Sequence, residues 1–158
     1  MARGQQEPDP RELRAACAAV RNNCACSGLR RAAREMTQRY ERVLAPSGVK
    51  ATQFPILVAL GERDEIPILP LAEGLGLERT TLTRNLRILE GRGLVTVAAP
   101  EHDARMRLAS ITPEGRRVLG HALELWRAEQ HDLVEAFGRD RLHGLFGDLS
   151  ELTGAGAD

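Results

Sequence analysis

The run from Leu71 to Val95 constrains this chain most, because it places two short helical patterns on either side of a glycine turn. Pro70 opens a short helix through Leu75, and Gly76 closes it. Gly74 inside that helix is unfavourable by ~1 kcal/mol relative to Ala. A second helix is predicted over Arg79–Arg92, ended by Gly93. On a helical wheel, Leu82, Leu86 and Leu89 gather on one side of it. Thr80, Arg84 and Arg87 project oppositely, Thr81 and Thr83 flank them, and Asn85 falls nearer the buried side. A face of short hydroxyls and arginines suits the DNA major groove. Hydroxyls bond phosphates or base edges, Thr methyls meet thymine methyls, and Arg reaches guanine O6 and N7 bidentately.

The flanks frame this pair. From about Glu12 to Leu44 there is no proline and one glycine, with Leu29, Met36 and Val43 spaced by seven, which predicts one long helix stopped at Ala45–Gly48. Thr52 is placed to cap a helix over Gln53–Leu60, with Pro55 in its first turn. Ile66–Ile68 reads as a short edge strand. Val95–Ala98 and Arg107–Ile111 read as two strands joined by the polar loop Ala99–Arg105. Thr112-Pro113-Glu114 starts a helix to about Phe137, and Leu142, Leu145, Phe146, Leu149 and Leu152 form an apolar face on a last one. The expected fold is mainly α with a small β-wing: a winged helix-turn-helix flanked by long terminal helices. The flanking helices carry more apolar surface than one small domain needs, and a second copy could bury the rest. The expected organisation is a mobile arm over 1–10, an N-terminal helical dimerisation region over 11–47, the winged lobe over 48–112 and C-terminal dimerisation helices over 113–153.

A formal net charge of zero argues against a nucleic-acid binder only until its distribution is read. Residues 11–42 hold eight Arg against three acids, and residues 79–112 hold six Arg against three. The acidic excess lies in residues 43–78 and 113–158. DNA needs only a local positive excess. No apolar run approaches the ~20 residues that span a bilayer, and the N-terminus lacks the apolar core of a signal peptide. The three cysteines, Cys17, Cys24 and Cys26, are too few and too bunched for a disulfide framework, so a reducing cytoplasm is the expected compartment. The four His show no metal-binding spacing with acids or Cys. There is no Gly-rich phosphate loop and no nucleophile elbow. An enzyme, a metal and a cofactor are therefore not expected.

Leu71-Ala72-x-x-Leu75-Gly76, Arg79 to Leu86, Leu89-Glu90-x-Arg92-Gly93-Leu94-Val95, Asp103 to Arg107 and Ile111 to Gly115 together resemble the MarR family of transcriptional regulators. The resemblance covers roughly residues 25–150 and includes the order of elements. It implies a triangular homodimer, with terminal helices at the dimer interface and two winged lobes reading a pseudo-palindromic operator on double-stranded DNA. It gives Thr80, Thr81, Thr83 and Arg84 groove contacts, and Arg105 a minor-groove contact. Asp103 becomes a structural partner for an arginine at the wing base, for which Arg107 is the candidate. Arg87 and His102 are added as candidate DNA contacts. The chain departs from the family pattern at Leu69, where a Ser or Thr cap is usual, and in a wing with few basic residues.

The resemblance also implies a sensor. The leading expectation is a repressor released from its operator by a small aromatic-acid effector, with Arg30, Arg34, Tyr40, Phe54 and Trp126 as candidate lining. The first alternative is a thiol-based oxidant sensor using Cys24 or Cys26, whose nearby Arg21, Arg30 and Arg31 would favour a thiolate. Packing as small buried residues is the simpler account of the same cysteines. An alternative of another class is a winged helix that serves contact with another protein.

Overall fold

The computed structural model describes residues 9–63, 65–100 and 106–154. In chain order they form α1 (Pro10–Asn23), α2 (Ala25–Leu44), a 3-10 turn (Ala45–Ser47), α3 (Phe54–Glu62), β1 (Glu65–Pro67), α4 (Ile68–Gly74), α5 (Arg79–Gly91), β2 (Val95–Ala98), β3 (Leu108–Ile111), α6 (Pro113–Phe137) and α7 (Arg139–Thr153). The chain divides into two compact units, Met1–Arg39 and Tyr40–Asp158.

In the first unit, the single helix predicted from Glu12 is two. Cys24 leaves the helical region (φ −72°, ψ 107°) and separates α1 from α2. Asn22, Asn23 and Cys24 are weak helix formers in succession. The Asn23 side-chain amide donates to the Ala19 carbonyl (3.0 Å), a local bond that competes with continued helix. Asp9 starts α1 by accepting the Arg11 N–H (2.9 Å), with Pro10 at the first position. No residue of α1 is buried.

The second unit is built around the helix pair. Both helices end in the same way. The Leu77 N–H donates to the Ala72 carbonyl (2.9 Å) and the Gly76 N–H to the Glu73 carbonyl (3.0 Å). At the end of α5 the Leu94 N–H donates to the Leu89 carbonyl (3.0 Å) and the Gly93 N–H to the Glu90 carbonyl (2.8 Å). Each is a Schellman motif, which needs a left-handed residue after the cap. Gly76 (φ 60°) and Gly93 (φ 69°) supply it. The first motif turns the chain from α4 into α5, and the second sends it into β2.

Two helix starts differ from the sequence reading. Thr52 does not cap α3. The residue before that helix is Gln53, and the first N–H groups, of Gln53 and Phe54, already donate to the Lys50 carbonyl (2.9 and 3.0 Å). α4 begins at Ile68, two residues before Pro70; its cap position is Pro67, which offers no side-chain cap, and Leu69, expected at the cap, lies inside the helix. Strand β3 lies beside it, and the Ile68 N–H donates to the Arg107 carbonyl just ahead of β3 (3.0 Å). At α6 the expected cap is present: the Thr112 hydroxyl accepts the Gly115 N–H (2.9 Å) and donates to the Gly93 carbonyl (2.7 Å).

The sheet order is β1-β3-β2, antiparallel throughout, with Ile66 opposite Ala109 and Val95 opposite Ile111. One core joins it to the helices: Leu57 and Leu60 of α3, Leu82, Leu86 and Leu89 of α5, Ile111 of β3, and Leu119 and Ala122 of α6. Burial decides the conformation of α5. Thr80, Thr81 and Thr83 each disfavour helix by up to ~0.7 kcal/mol, whereas each buried leucine returns about 1.5–3 kcal/mol. The fold can therefore carry a hydroxyl-rich outer face on a secure helix.

Candidate nucleic-acid interface

The outer face of α5 is set by its inner face. With Leu82, Leu86 and Leu89 buried, Thr80, Thr81, Arg84 and Arg87 are exposed and Thr83 is half-buried. Arg79, Thr80, Thr83, Arg84, Arg87 and Ile88 line an open groove of about 740 Å³. The Thr83 hydroxyl donates to the Arg79 carbonyl (2.8 Å). In that arrangement it can offer a nucleic acid an acceptor or its methyl group, but no proton. The Asn85 amide donates to the Thr81 carbonyl (3.0 Å) and the residue is half-buried, in line with its position on the wheel.

Arg79 and Ile88 belong to this face and escaped the sequence reading. Arg79 stands at the first position of α5, where an arginine reads as a helix start. Ile88 is 45% exposed, an apolar residue on the polar side that helical periodicity treats as core. Of the wing candidates, His102, Asp103 and Arg105 lie outside the described residues. Arg107 is exposed, and its backbone carbonyl serves the start of α4.

A second feature lies beside α3. A cleft of about 500 Å³ is walled by Phe54, Pro55 and Val58 of α3, Leu71 and Leu75 from the α4 region, and Trp126 of α6. Glu62 and Arg63 also line it and are exposed. This is the size and lining of a small-molecule site: mostly apolar walls with a few charged groups. Of the five residues expected to line an effector site, Phe54 and Trp126 meet here. Tyr40 is half-buried, and its hydroxyl donates to the Gln130 side-chain carbonyl (3.0 Å) rather than lining the cleft. Arg30 and Arg34 are exposed on α2 in the first unit.

The cysteines are free thiols. Cys17 and Cys26 are exposed, and Cys24 is half-buried at the junction of α1 and α2. The Ser27 side chain, and then its backbone N–H, hold the Cys24 thiol below its ordinary range, against the opposing effect of partial burial. The cause is thus Ser27 and not the arginines at 21, 30 and 31. Among the described residues, no three His, Cys, Asp or Glu side chains are grouped to hold a metal ion, and no helix is long and apolar enough to cross a membrane.

Comparison with known proteins bears on this geometry. The family model of the MarR family matches residues 49–106. The organic hydroperoxide resistance transcriptional regulator of Bacillus subtilis is 31% identical over 103 residues, which span 65% of this chain and 70% of that protein. The crystal structure of the M. tuberculosis transcriptional regulator MOSR in complex with DNA superposes with a TM-score of 0.74 at 39% identity, covering 84% of this chain and 98% of that one. The transcriptional repressor CouR bound to a 23-mer DNA duplex gives a TM-score of 0.77 at 27% identity, covering 85% and 95%.

Proposed function

The chain belongs to the MarR family, and on that premise we propose that it is a homodimeric repressor released from its operator by a small molecule. It is a DNA-binding transcriptional regulator and not an enzyme. The observation that carries the DNA-reading mechanism is the α5 face, where Arg79, Thr80, Thr83, Arg84 and Arg87 line one open groove above a buried leucine row. Arg84 reads a base edge, Arg79 and Arg87 bind phosphates, and Thr80, Thr81 and Thr83 fit the groove wall. Two copies place two such helices on a pseudo-palindrome. The place of work is where bacterial DNA lies, in the cytoplasm.

The effector enters the cleft between α3, α4 and α6. An aromatic ring stacks among Phe54, Trp126 and Val58, and its carboxylate pairs with Arg63. Because α4 forms one wall and packs on α5, a ligand there changes the stance of the recognition helix. Fluorescence anisotropy at fixed salt tests the whole reading. Labelled duplex from upstream of the protein's own gene should bind in preference to a scrambled duplex, with two chains per duplex. Equal weak binding to both would favour the winged helix as a protein-contact module. Aromatic acids should then dissociate the complex and raise the melting temperature of the free protein, and a screen in which none does so removes the cleft from the mechanism.

A second reading rests on Cys24, whose thiol is lowered by Ser27, and on the B. subtilis relative whose name records organic hydroperoxide resistance. In that reading a peroxide oxidises the Cys24 thiolate to the sulfenic acid, and Cys26 condenses with it to a disulfide, releasing water. Dithiothreitol-reversible loss of DNA binding after peroxide, absent in Cys24→Ser, would establish it. Unchanged binding after peroxide would dismiss it.

A further inference from the structure

A second groove flanks α5, on the side away from Thr80. Lys50 and Thr52, from the loop leading into α3, share its lining with Thr81, Arg84 and Asn85 of α5, and its volume is about 390 Å³. Arg84 and Ile88 line this groove and the first one as well. The two grooves are therefore neighbours along the exposed ridge of α5, and the α3 loop walls the outer one.

The loop is braced on both sides. The Arg92 guanidinium, just past α5, donates to the Gly48 carbonyl (2.8 Å). The Glu41 carboxylate of α2 accepts the Ala51 N–H (3.1 Å). The Lys50 N–H donates to the buried Gln53 side chain (3.3 Å), and Val49 is 2% exposed in the core. The backbone of residue 50 is thus tied at 48, 49, 50 and 51, while its side chain is exposed. Lys50 is also the only lysine of the 22 cationic residues in the chain. Its ammonium is a compact point charge on a flexible stem, which can meet a phosphate from many angles.

From this geometry we propose that the α3 loop is a second DNA-contacting element, in which Lys50 and the Thr52 hydroxyl bind a phosphodiester group of the strand beside the groove that Arg84 enters. The ligand chemistry is the backbone phosphate of duplex DNA, so the contact carries no sequence information and adds affinity and register. The braces from Arg92 and Glu41 fix where that phosphate must lie relative to α5. The inference rests on the reading of α5 as the recognition helix.

Salt-dependent anisotropy on the full chain tests it, with a mixed-sequence duplex and the upstream duplex. Lys50→Gln removes one contact from each of the two chains, so it should weaken both complexes by the same factor, about sixtyfold at 0.1 M salt, and lower the slope of log affinity against log salt by ~1.8, the share of two released counterions. Lys50→Arg should keep slope and affinity near the wild type. Arg84→Ala should instead act mainly on the preference for the upstream duplex. If wild type binds DNA and Lys50→Gln matches it in slope and affinity, the loop contact is overturned while the recognition helix stands. If wild type binds neither duplex with a salt-dependent affinity, the DNA reading itself fails and takes the loop contact with it.

Discussion

At the scale of single residues, side-chain chemistry and close approach can be separated. Gly115 sits at the start of α6, where a Cβ would stand 2.0 Å from the Leu94 carbonyl oxygen and 2.8 Å from Ile111 Cγ1. That carbonyl also accepts the Thr112 N–H (3.0 Å), so it cannot move aside freely. Gly115→Ala should destabilise the fold by about 3 kcal/mol, the upper end of overpacking costs, read as a fall in the denaturant midpoint. Wild-type stability would mean that α6 can shift on the sheet. Arg84→Ala, by contrast, should leave the midpoint alone and weaken specific DNA binding by ~1–3 kcal/mol if it reads a base. Equal affinity would remove Arg84 from the interface. Thr112 and the leucines of α5 were legible in the sequence because caps and helical periodicity are local rules. Lys50 was not, because nothing near it in sequence says that its loop will stand beside Arg84. That adjacency comes from tertiary contacts, among them the Arg92–Gly48 bond across 44 positions of chain.

At the scale of elements, boundaries fail where a backbone bond replaces the side chain that sequence rules look for. α4 starts without a capping side chain because the Arg107 carbonyl, from the wing strand, takes the Ile68 N–H. α3 starts without Thr52 because the Lys50 carbonyl is already in place. The break between α1 and α2 was missed for another reason: neither proline nor glycine marks it, only a succession of weak helix formers. The wing hairpin and both glycine-ended helices were readable, since a Schellman end needs its glycine whatever surrounds it. The Arg92 brace also makes a prediction at this scale. Arg92→Met removes one exposed hydrogen bond between α5 and the α3 loop, and should lower stability by only about 0.5–1.5 kcal/mol. It should nevertheless reduce DNA affinity on every sequence, because the loop loses one of its braces. Unchanged non-specific affinity in Arg92→Met would show that Lys50 needs no bracing. At the α1–α2 junction, Ser27→Ala should move the alkylation midpoint of Cys24 by iodoacetamide to higher pH. The Ser27 hydroxyl stabilises the thiolate, so losing it favours the protonated thiol. An unmoved midpoint would exclude the Ser27 hydroxyl as the cause.

At the scale of the whole molecule, half of the ten large apolar residues left exposed among the described residues lie on α1 and α7. Leu13 (50% exposed) and Val20 (63%) lie on α1, and Phe146 (56%) and Leu152 (61%) on α7. Leu142, by contrast, is buried within its own chain. The sequence showed the α7 stripe as one face, and the structure divides it into an inner edge and an outer one. A pair of copies would cover the outer edge, which suits a regulator that must present two recognition helices at once. Phe146→Glu tests this without endangering the core, because the ring makes little of the single-chain interior. The charge should be tolerated in a lone copy, where water reaches it, and costly once enclosed between two. Sedimentation equilibrium should then show a shift from dimer toward monomer, with helical content kept by circular dichroism. Affinity for a two-site operator should fall by roughly 10²-fold or more, since the second lobe no longer binds as part of the same particle. Affinity for isolated non-specific DNA should fall much less. A variant that remains dimeric and binds its operator as the wild type does would place the interface elsewhere than on the outer edge of α7.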